Sequence, residues 1–194
     1  MAWAGLLGLG WAITIFPAIT TWDSDLLLRL HRHATPWLDA IMPWFTDLGT
    51  VWGVLPGTLG LGLVLLRRKQ QRQAIFLVGA MLGSLLLNIG IKGFWQRVRP
   101  HLWEGVPTLP DSSFPSGHAT FSMAFFLAVV LMSQNHPHRR QIIGLGGGLA
   151  VLIGLSRTYL GVHYLSDVVG GWLLAFGWTV GLYRTMGFPV GRGR

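Results

Sequence analysis

A chain of 194 residues with 51% hydrophobic and 11% charged side chains falls well short of the ~25% charged residues of a soluble domain, and its apolar residues come in long blocks, so it reads as an integral membrane protein. The absence of cysteine excludes disulfides and thiolate chemistry. The formal charge of +8 would suit nucleic acid, but the basic residues cluster at the ends of apolar runs, where membrane proteins place them.

The length accommodates one domain, residues 1–194, of roughly six spans at ~20 residues each. The first apolar run is Trp3 to Thr20. No basic residue and no clear small-x-small cleavage site flank it, so it reads as a retained helix, with Pro17 placed to kink its end. Asp23 to Asp47 is too polar to span. Its blocks of charges, aromatics and leucines suit one or two short helices lying in the interface. His31 and His33 stand two apart, share no helical face, and read as interfacial rather than metal-ligating. Val51–Leu66 and Ala74–Ile91 are the second and third spans, and Lys92–Pro115 is a polar loop of mixed charge. In Phe114-Pro115-Ser116-Gly117-His118, Ser116 is a good N-cap for the helix from Ala119 to Met132. Ile142–Leu155 is the fifth span, with Gly146-Gly147-Gly148 suited to close helix contact. Ser156–Asp167 is a short polar link, Val168–Tyr183 the sixth span, and Arg184–Arg194 a basic, frayed tail. The expected fold is therefore all-α, a six-transmembrane-helix bundle with short interfacial helices between spans one and two.

Charge fixes the orientation. Arg67, Arg68, Lys69, Arg72, Arg139, Arg140, Arg184, Arg192 and Arg194 fall in three segments that carry no Asp or Glu, and all seven acids lie in the others. The positive-inside rule places the basic side and both termini in the cytoplasm. The 23–47 segment, the 92–115 loop and the 156–167 link then share the extracytoplasmic rim.

These segments are rich in the kinds of side chain that bind phosphate. Lys92 and Arg99 stand at the exit of span three, Ser116, Gly117 and His118 at the entry of span four, and Arg157, His163 and Asp167 between spans five and six. Taken singly, Lys92, Arg99 and Arg157 also suit snorkelling anchors. Together they suit a clamp on anionic oxygens, with arginine supplying a planar fork and lysine a point charge. A helix start at Ser116 adds N–H donors and a hydroxyl, and Gly117 lets the backbone approach an anion. His163 and Asp167, four apart, share a helical face, so Asp167 can fix the imidazole tautomer and leave the other nitrogen nucleophilic. His118 is placed to protonate a leaving oxygen.

Lys92-x6-Arg99-Pro100, Pro115-Ser116-Gly117-His118 and Ser156-Arg157-x5-His163-x3-Asp167 resemble, in order and without substitution, the three signature motifs of the type 2 phosphatidic acid phosphatase superfamily. The resemblance covers about residues 50–184. It implies a helical bundle with its site at the outer membrane boundary, and metal-independent hydrolysis through a phosphohistidine on His163. It gives phosphate binding to Lys92, Arg99, Ser116, Gly117 and Arg157, acid catalysis to His118, and orientation of His163 to Asp167. Arg97 falls in the variable part of the first motif and has no assignment; Glu104 and Asp111 have none either. The expected substrate is a lipid phosphate in the bilayer, such as phosphatidic acid or phosphatidylglycerophosphate, or else undecaprenyl pyrophosphate, with no cofactor and no nucleic-acid partner. Competing readings are a vanadate haloperoxidase, against which the apolar spans speak, a lipid-binding or transport protein without turnover, and a zinc hydrolase, whose cation Lys92, Arg99 and Arg157 would repel.

Overall fold

The computed structural model describes residues 1–188; Arg192 and Arg194 of the basic tail lie outside the described residues. The described residues form helices and loops, with no strand among them. Helix α1 (Ala2–Ile15) ends where Phe16 turns extended, and Pro17 opens α2 (Pro17–Arg32). Proline lacks the N–H that would continue α1 but suits a first helical position. The two helices meet at 93°. The expected first span is thus shorter than Trp3–Thr20, and Pro17 breaks it rather than kinking it.

Helix α3 (Pro36–Leu48) also opens on a proline, with the Thr35 hydroxyl accepting the Leu38 N–H. Helices α2 and α3 are the two short helices expected between the first and second apolar runs. Then come α4 (Val54–Arg67) and α5 (Gln71–Trp95). Helix α5 continues past Ile91 and stops where Gln96 adopts φ 45°. Lys92 therefore sits on its last turn, not in the following loop. Residues 96–116 carry no helix, α6 is Gly117–Met132, and α7 (Arg139–Gln141) passes through a π-helical turn (Ile142–Gly146) into α8 (Gly147–Tyr159). Helix α9 is Leu165–Thr185. Arg157 is consequently on α8 and Asp167 on the first turn of α9, both inside helices that begin or end within the expected polar link.

Helix α6 is central and packs on α5, α8 and α9, while α1 covers α9. One apolar cluster (Phe76, Leu77, Ala80, Ala128, Tyr183) fills the end where α5 starts and α9 stops. A second (Leu6, Ile13, Phe114, Leu174) lies under the loop that precedes α6. Two glycines of α9 let that loop come down onto the helix. A Cβ on Gly170 would stand 2.3 Å from the Phe114 ring, and one on Gly171 2.7 Å from the Ser116 carbonyl oxygen. Of the three consecutive glycines, Gly146 and Gly147 do face the Phe126 ring of α6, whereas Gly148 faces nothing.

By length and composition, α5, the rod Arg139–Tyr159 and α9 are long and apolar enough to cross a membrane, and the bent α1–α2 pair is a fourth candidate. Helices α4 and α6 have 14 and 16 residues, or roughly 21 and 24 Å, against ~30 Å of hydrocarbon. The architecture is an all-helical membrane bundle in which length alone assigns three or four spans rather than six.

Candidate active site

The three polar segments converge on one end of the bundle. The loop after α5 delivers Arg97 and Arg99, the start of α6 delivers Ser116, Gly117 and His118, and the short turn between α8 and α9 delivers His163. That turn is tight because the N–H groups of Val162 and His163 both donate to the Arg157 carbonyl and Gly161 adopts φ +69°, a conformation that favours glycine. The Trp103 ring packs over Gly161, where a Cβ would stand 2.4 Å from it.

His163 is 1% exposed. Its Nε2 lies 2.9 Å from Arg99 Nη1. Arginine can only donate, so Nε2 is the lone-pair nitrogen and the proton resides on Nδ1. Nδ1 faces Asp167 Oδ2 at 3.5 Å and the Ser113 hydroxyl at 3.4 Å. Burial pushes the imidazole down to about 4, with Arg99 and Arg157 adding to the shift and Asp167 opposing it, so the ring is neutral at ordinary pH. The expected His163–Asp167 pair is present with a different local geometry. His163 precedes α9, and Asp167 Oδ2 accepts the Tyr164 N–H at 2.9 Å as part of a capping box that starts the helix.

Lys92 and Arg99 are joined by Asp111. Lys92 Nζ lies 2.8 Å from Asp111 Oδ2, and Arg99 Nη2 lies 2.7 Å from Oδ1. Lys92 also donates to the Ser112 carbonyl, and Arg99 to the carbonyls of Asp111 and Val162. Partial burial opposes ionisation of Asp111, but hydrogen bonds from Lys92 and Arg99 outweigh it and hold the carboxyl down at about 2. These residues border a cleft of about 760 Å³. Arg157 is 8% exposed; its Nη1 donates to Thr46 of α3 at 2.8 Å, and its Nε has no partner among the described residues.

Ser116 is fully buried and stands at the N-cap position of α6, but its hydroxyl accepts no helix N–H and has no partner among the described residues. The capping expectation is therefore met in position but not in bonding. The Ser116 N–H is tied to the Asp167 carbonyl at 3.0 Å, and Asn88 of α5 donates to the Pro115 carbonyl at 3.2 Å, so backbone contacts fix the segment. The hydroxyl is left for something else. Gly117 has no close neighbour, with a Cβ there meeting the Phe121 ring at 3.5 Å. His118 follows, within electrostatic reach of the Arg157, Arg99 and Lys92 cations and of the His163 imidazole. The structure thus gathers all eight residues singled out in the sequence.

It also adds residues the sequence reading left out. Arg97 donates to Asp167 Oδ1 at 2.6 Å and to Asp23 Oδ2 of α2 at 3.0 Å. Ser113 donates to Asp167 Oδ2, Ser166 joins Arg97 and Asp23, and Thr46 holds Arg157. His31, read as interfacial, is exposed and stacks on Trp103 with ring centroids 4.2 Å apart.

A family model described as the PAP2 superfamily matches residues 73–189. The chain belongs to the PAP2 superfamily. Its curated relatives include phosphatidylglycerophosphatase B of Bacillus subtilis (strain 168), 33% identical over 148 residues that cover 72% of this chain and 70% of the relative. The undecaprenyl-diphosphatase of Sulfolobus acidocaldarius is 31% identical over 155 residues, covering 76% and 69%. The crystal structure of a transmembrane PAP2 type phosphatidylglycerolphosphate phosphatase from Bacillus subtilis superposes with a TM-score of 0.84 at 27% identity, covering 100% of this chain and 97% of that one. As a PAP2 protein the chain is an integral membrane phosphatase, and the cluster around His163 is its candidate active site.

Proposed function

We propose that this PAP2 phosphatase removes a terminal phosphate from a membrane lipid by transferring it to His163 and then to water. The observation that carries the reading is the neutral, buried His163 imidazole, whose Nε2 faces Arg99 while Asp167 and Ser113 stand behind Nδ1. Nε2 attacks phosphorus as the ester P–O bond breaks, and His118 gives its proton to the departing lipid oxygen. The imidazole then carries positive charge, which Asp167 stabilises through Nδ1–H. In the second half, His118 accepts a proton from water as that water attacks phosphorus and the P–N bond breaks. Lys92, Arg99, Arg157, the Ser116 hydroxyl and the N–H groups opening α6 hold the phosphoryl oxygens, which is electrostatic stabilisation of a charge-rich transition state. Three cations converging on the site favour an anion and repel a metal ion, so activity is expected to persist with chelator.

The lipid chain fits an apolar groove of about 390 Å³ between α4 and α5, lined by Val54, Leu55, Leu59, Leu82, Leu85 and Phe121. Phe121 stands one turn beyond Gly117, which sets one edge of the groove near the start of α6. In this reading α1, α4, α5, α6, the Arg139–Tyr159 rod and α9 make six crossings. The basic residues from Arg67 to Arg72 and at Arg139, Arg140 and Arg184 then mark the cytoplasmic side, with the site facing outward. A lone cysteine introduced at Glu104 should react with an impermeant thiol reagent on intact cells, and one at Arg68 should not; the reverse pattern rejects the orientation.

The deciding experiment is phosphate release by purified protein from phosphatidic acid, phosphatidylglycerophosphate and undecaprenyl pyrophosphate, with and without chelator, beside His163→Ala. Release by the wild type and none by the variant is the expected result. Full release by His163→Ala rejects the phosphohistidine route. Release from undecaprenyl pyrophosphate alone selects the lipid-carrier reading that the archaeal relative suggests. No release from any lipid, with binding retained, returns the chain to the transport or binding class.

A further inference from the structure

The first motif's variable stretch holds a residue that the proposed chemistry leaves unused. Arg97 is buried, with 8% of its side chain exposed, between two carboxylates that are fully buried, Asp23 and Asp167. Its Nη1 donates to Asp167 Oδ1 at 2.6 Å and to the Ser166 hydroxyl at 2.7 Å. Its Nη2 donates to Asp23 Oδ2 at 3.0 Å and to the Thr20 hydroxyl at 3.2 Å. The guanidinium lies over the Tyr164 ring, 4.2 Å from its centroid. Asp23 is held in turn by Ser166, whose N–H donates to Oδ1 at 3.2 Å and whose hydroxyl donates to Oδ2.

This arrangement divides the two oxygens of Asp167 between structure and chemistry. Oδ1 is taken by Arg97. Oδ2 is turned the other way, toward the Ser113 hydroxyl, the Tyr164 N–H and His163 Nδ1. A carboxylate gripped on one oxygen by a planar fork cannot rotate freely about its last torsion. Burying two carboxylates is costly unless they are paired and hydrogen-bonded, and one guanidinium serves both. With Arg97 counted, the cluster carries one net negative charge directly behind the imidazole. That is the charge needed when phosphorylated His163 becomes cationic.

We propose that Arg97, anchored by Asp23, is a positioning residue that aims Asp167 at His163 and sets the net charge behind the attacking imidazole. The inference rests on His163 being the nucleophile. It also gives α2, a helix outside the three motifs and turned 93° from α1, a direct part in the site. The titratable and charged groups around His163 from each packed element are Asp167 on α9, Arg157 on α8, His118 on α6, Lys92 on α5, Arg99, Arg97 and the Asp111 carboxylate bound to Arg99 on the loop, and Asp23 on α2.

The test compares Asp23→Asn, Arg97→Lys and Arg97→Met with wild type and His163→Ala, using lipid phosphate turnover, inhibition by inorganic phosphate, and thermal unfolding in detergent. Asp23→Asn keeps the shape and removes one charge. The expected result is a fall in kcat of about 10–100-fold, with inhibition by phosphate within about twofold of wild type because the clamp is untouched. The acidic limb of kcat should move to lower pH, since a less negative surrounding weakens the hold of His163 on a proton. Arg97→Lys should recover part of the turnover that Arg97→Met loses, as it restores charge without the fork. Wild-type kcat and pH profile in a folded Asp23→Asn would overturn the proposal, as would a lowered unfolding temperature with kcat unchanged, which is the mark of a staple alone. If the Arg97 variants do not fold, Asp23→Asn decides. An inactive His163→Ala beside a fully active Asp23→Asn rejects the positioning role only, whereas an active His163→Ala rejects the nucleophile assignment beneath it.

Discussion

In the proposed mechanism Asp111 competes with the substrate for Lys92 and Arg99, and Asp111→Asn should expose that competition. The carboxylate bridges Lys92 and Arg99, whose side chains are each 12% exposed, while its own side chain is 53% exposed. Surface ion pairs contribute ~0–1 kcal/mol each and charge-assisted hydrogen bonds at buried sites somewhat more. Discounted for the exposure of Asp111, two such contacts together stabilise the bridged state by about 1–2 kcal/mol. An incoming phosphoryl group must displace them, so their removal should tighten anion binding by roughly 5–30-fold. Asparagine keeps the size and one acceptor oxygen but no charge. The carboxyl is held at about 2, below its unfolded value near 3.9, so it stays ionised as pH falls until it passes that folded value. Across any workable assay range the competition is therefore constant, apart from the ionisation of phosphate itself. The assay is the inhibition constant of inorganic phosphate, and of vanadate, against lipid phosphate turnover at several pH values. The expected variant binds both anions more tightly and has a lower KM. Weaker binding by Asp111→Asn would refute the reasoning and make Asp111 a brace that holds Lys92 and Arg99 in place.

Other expectations follow from the same geometry. Ser116→Ala removes a buried hydroxyl that has no partner among the described residues, so the unfolding temperature should hold or rise while kcat/KM falls by about 10²-fold; a loss of stability would mean that the hydroxyl supports the fold. Gly171→Ala would set a methyl 2.7 Å from the Ser116 carbonyl oxygen and 3.0 Å from Thr120 Oγ1. Overpacking there should cost about 1–3 kcal/mol and lift the Ser116–His118 segment off α9, lowering turnover more than Ser116→Ala does; unchanged activity would show the contact to be slack. The buried His163 has its imidazole held at about 4 against ~6.5 unfolded. Between those values the unfolded chain binds the extra proton, so stability is complete above about pH 6.5 and falls by ~3 kcal/mol as pH drops to about 4. His163→Gln should flatten that decline in unfolding scans, and an undiminished slope would assign acid sensitivity elsewhere.

The parts of the site that were legible in the sequence are those whose partners lie within one turn or one motif. Pro115-Ser116-Gly117-His118 announced a helix start because its chemistry is local. His163 and Asp167 announced a pair by spacing, although the pairing arises from a capping box at the head of α9 rather than from a shared helical face. Helix ends were misplaced where tertiary contacts extend an apolar run: α5 carries Lys92 on its last turn, and α8 carries Arg157 down to a hydrogen bond with Thr46 of α3. Helix length alone supports three or four of the six expected spans, because a run of apolar residues does not reveal a 93° turn at Pro17 or a helix only 14 residues long.

Arg97 and Asp23 escaped for a different reason. They are separated by 74 positions, and neither carries a local pattern. A charged residue at a span end has two physical fates, solvation at the rim or burial against an opposite charge, and sequence spacing does not distinguish them. One signal was available. Asp23 and Leu27 are the buried residues of α2 and stand four apart, on one face of the helix. An acid sharing the inward face with a leucine must be paired. Asp167 already had His163, so the unassigned cation near the site was Arg97. The same logic separates Asp111 from Asp23. Asp111 lies on an open loop beside two cations and remains half exposed, so it can yield to an anion. Asp23 lies under Ser166 with no exposure and cannot leave without opening the head of α9. One carboxylate is therefore suited to exchange with substrate and the other to hold the machinery still. Substituting each by asparagine should separate them, with Asp111→Asn acting on anion affinity and Asp23→Asn on turnover.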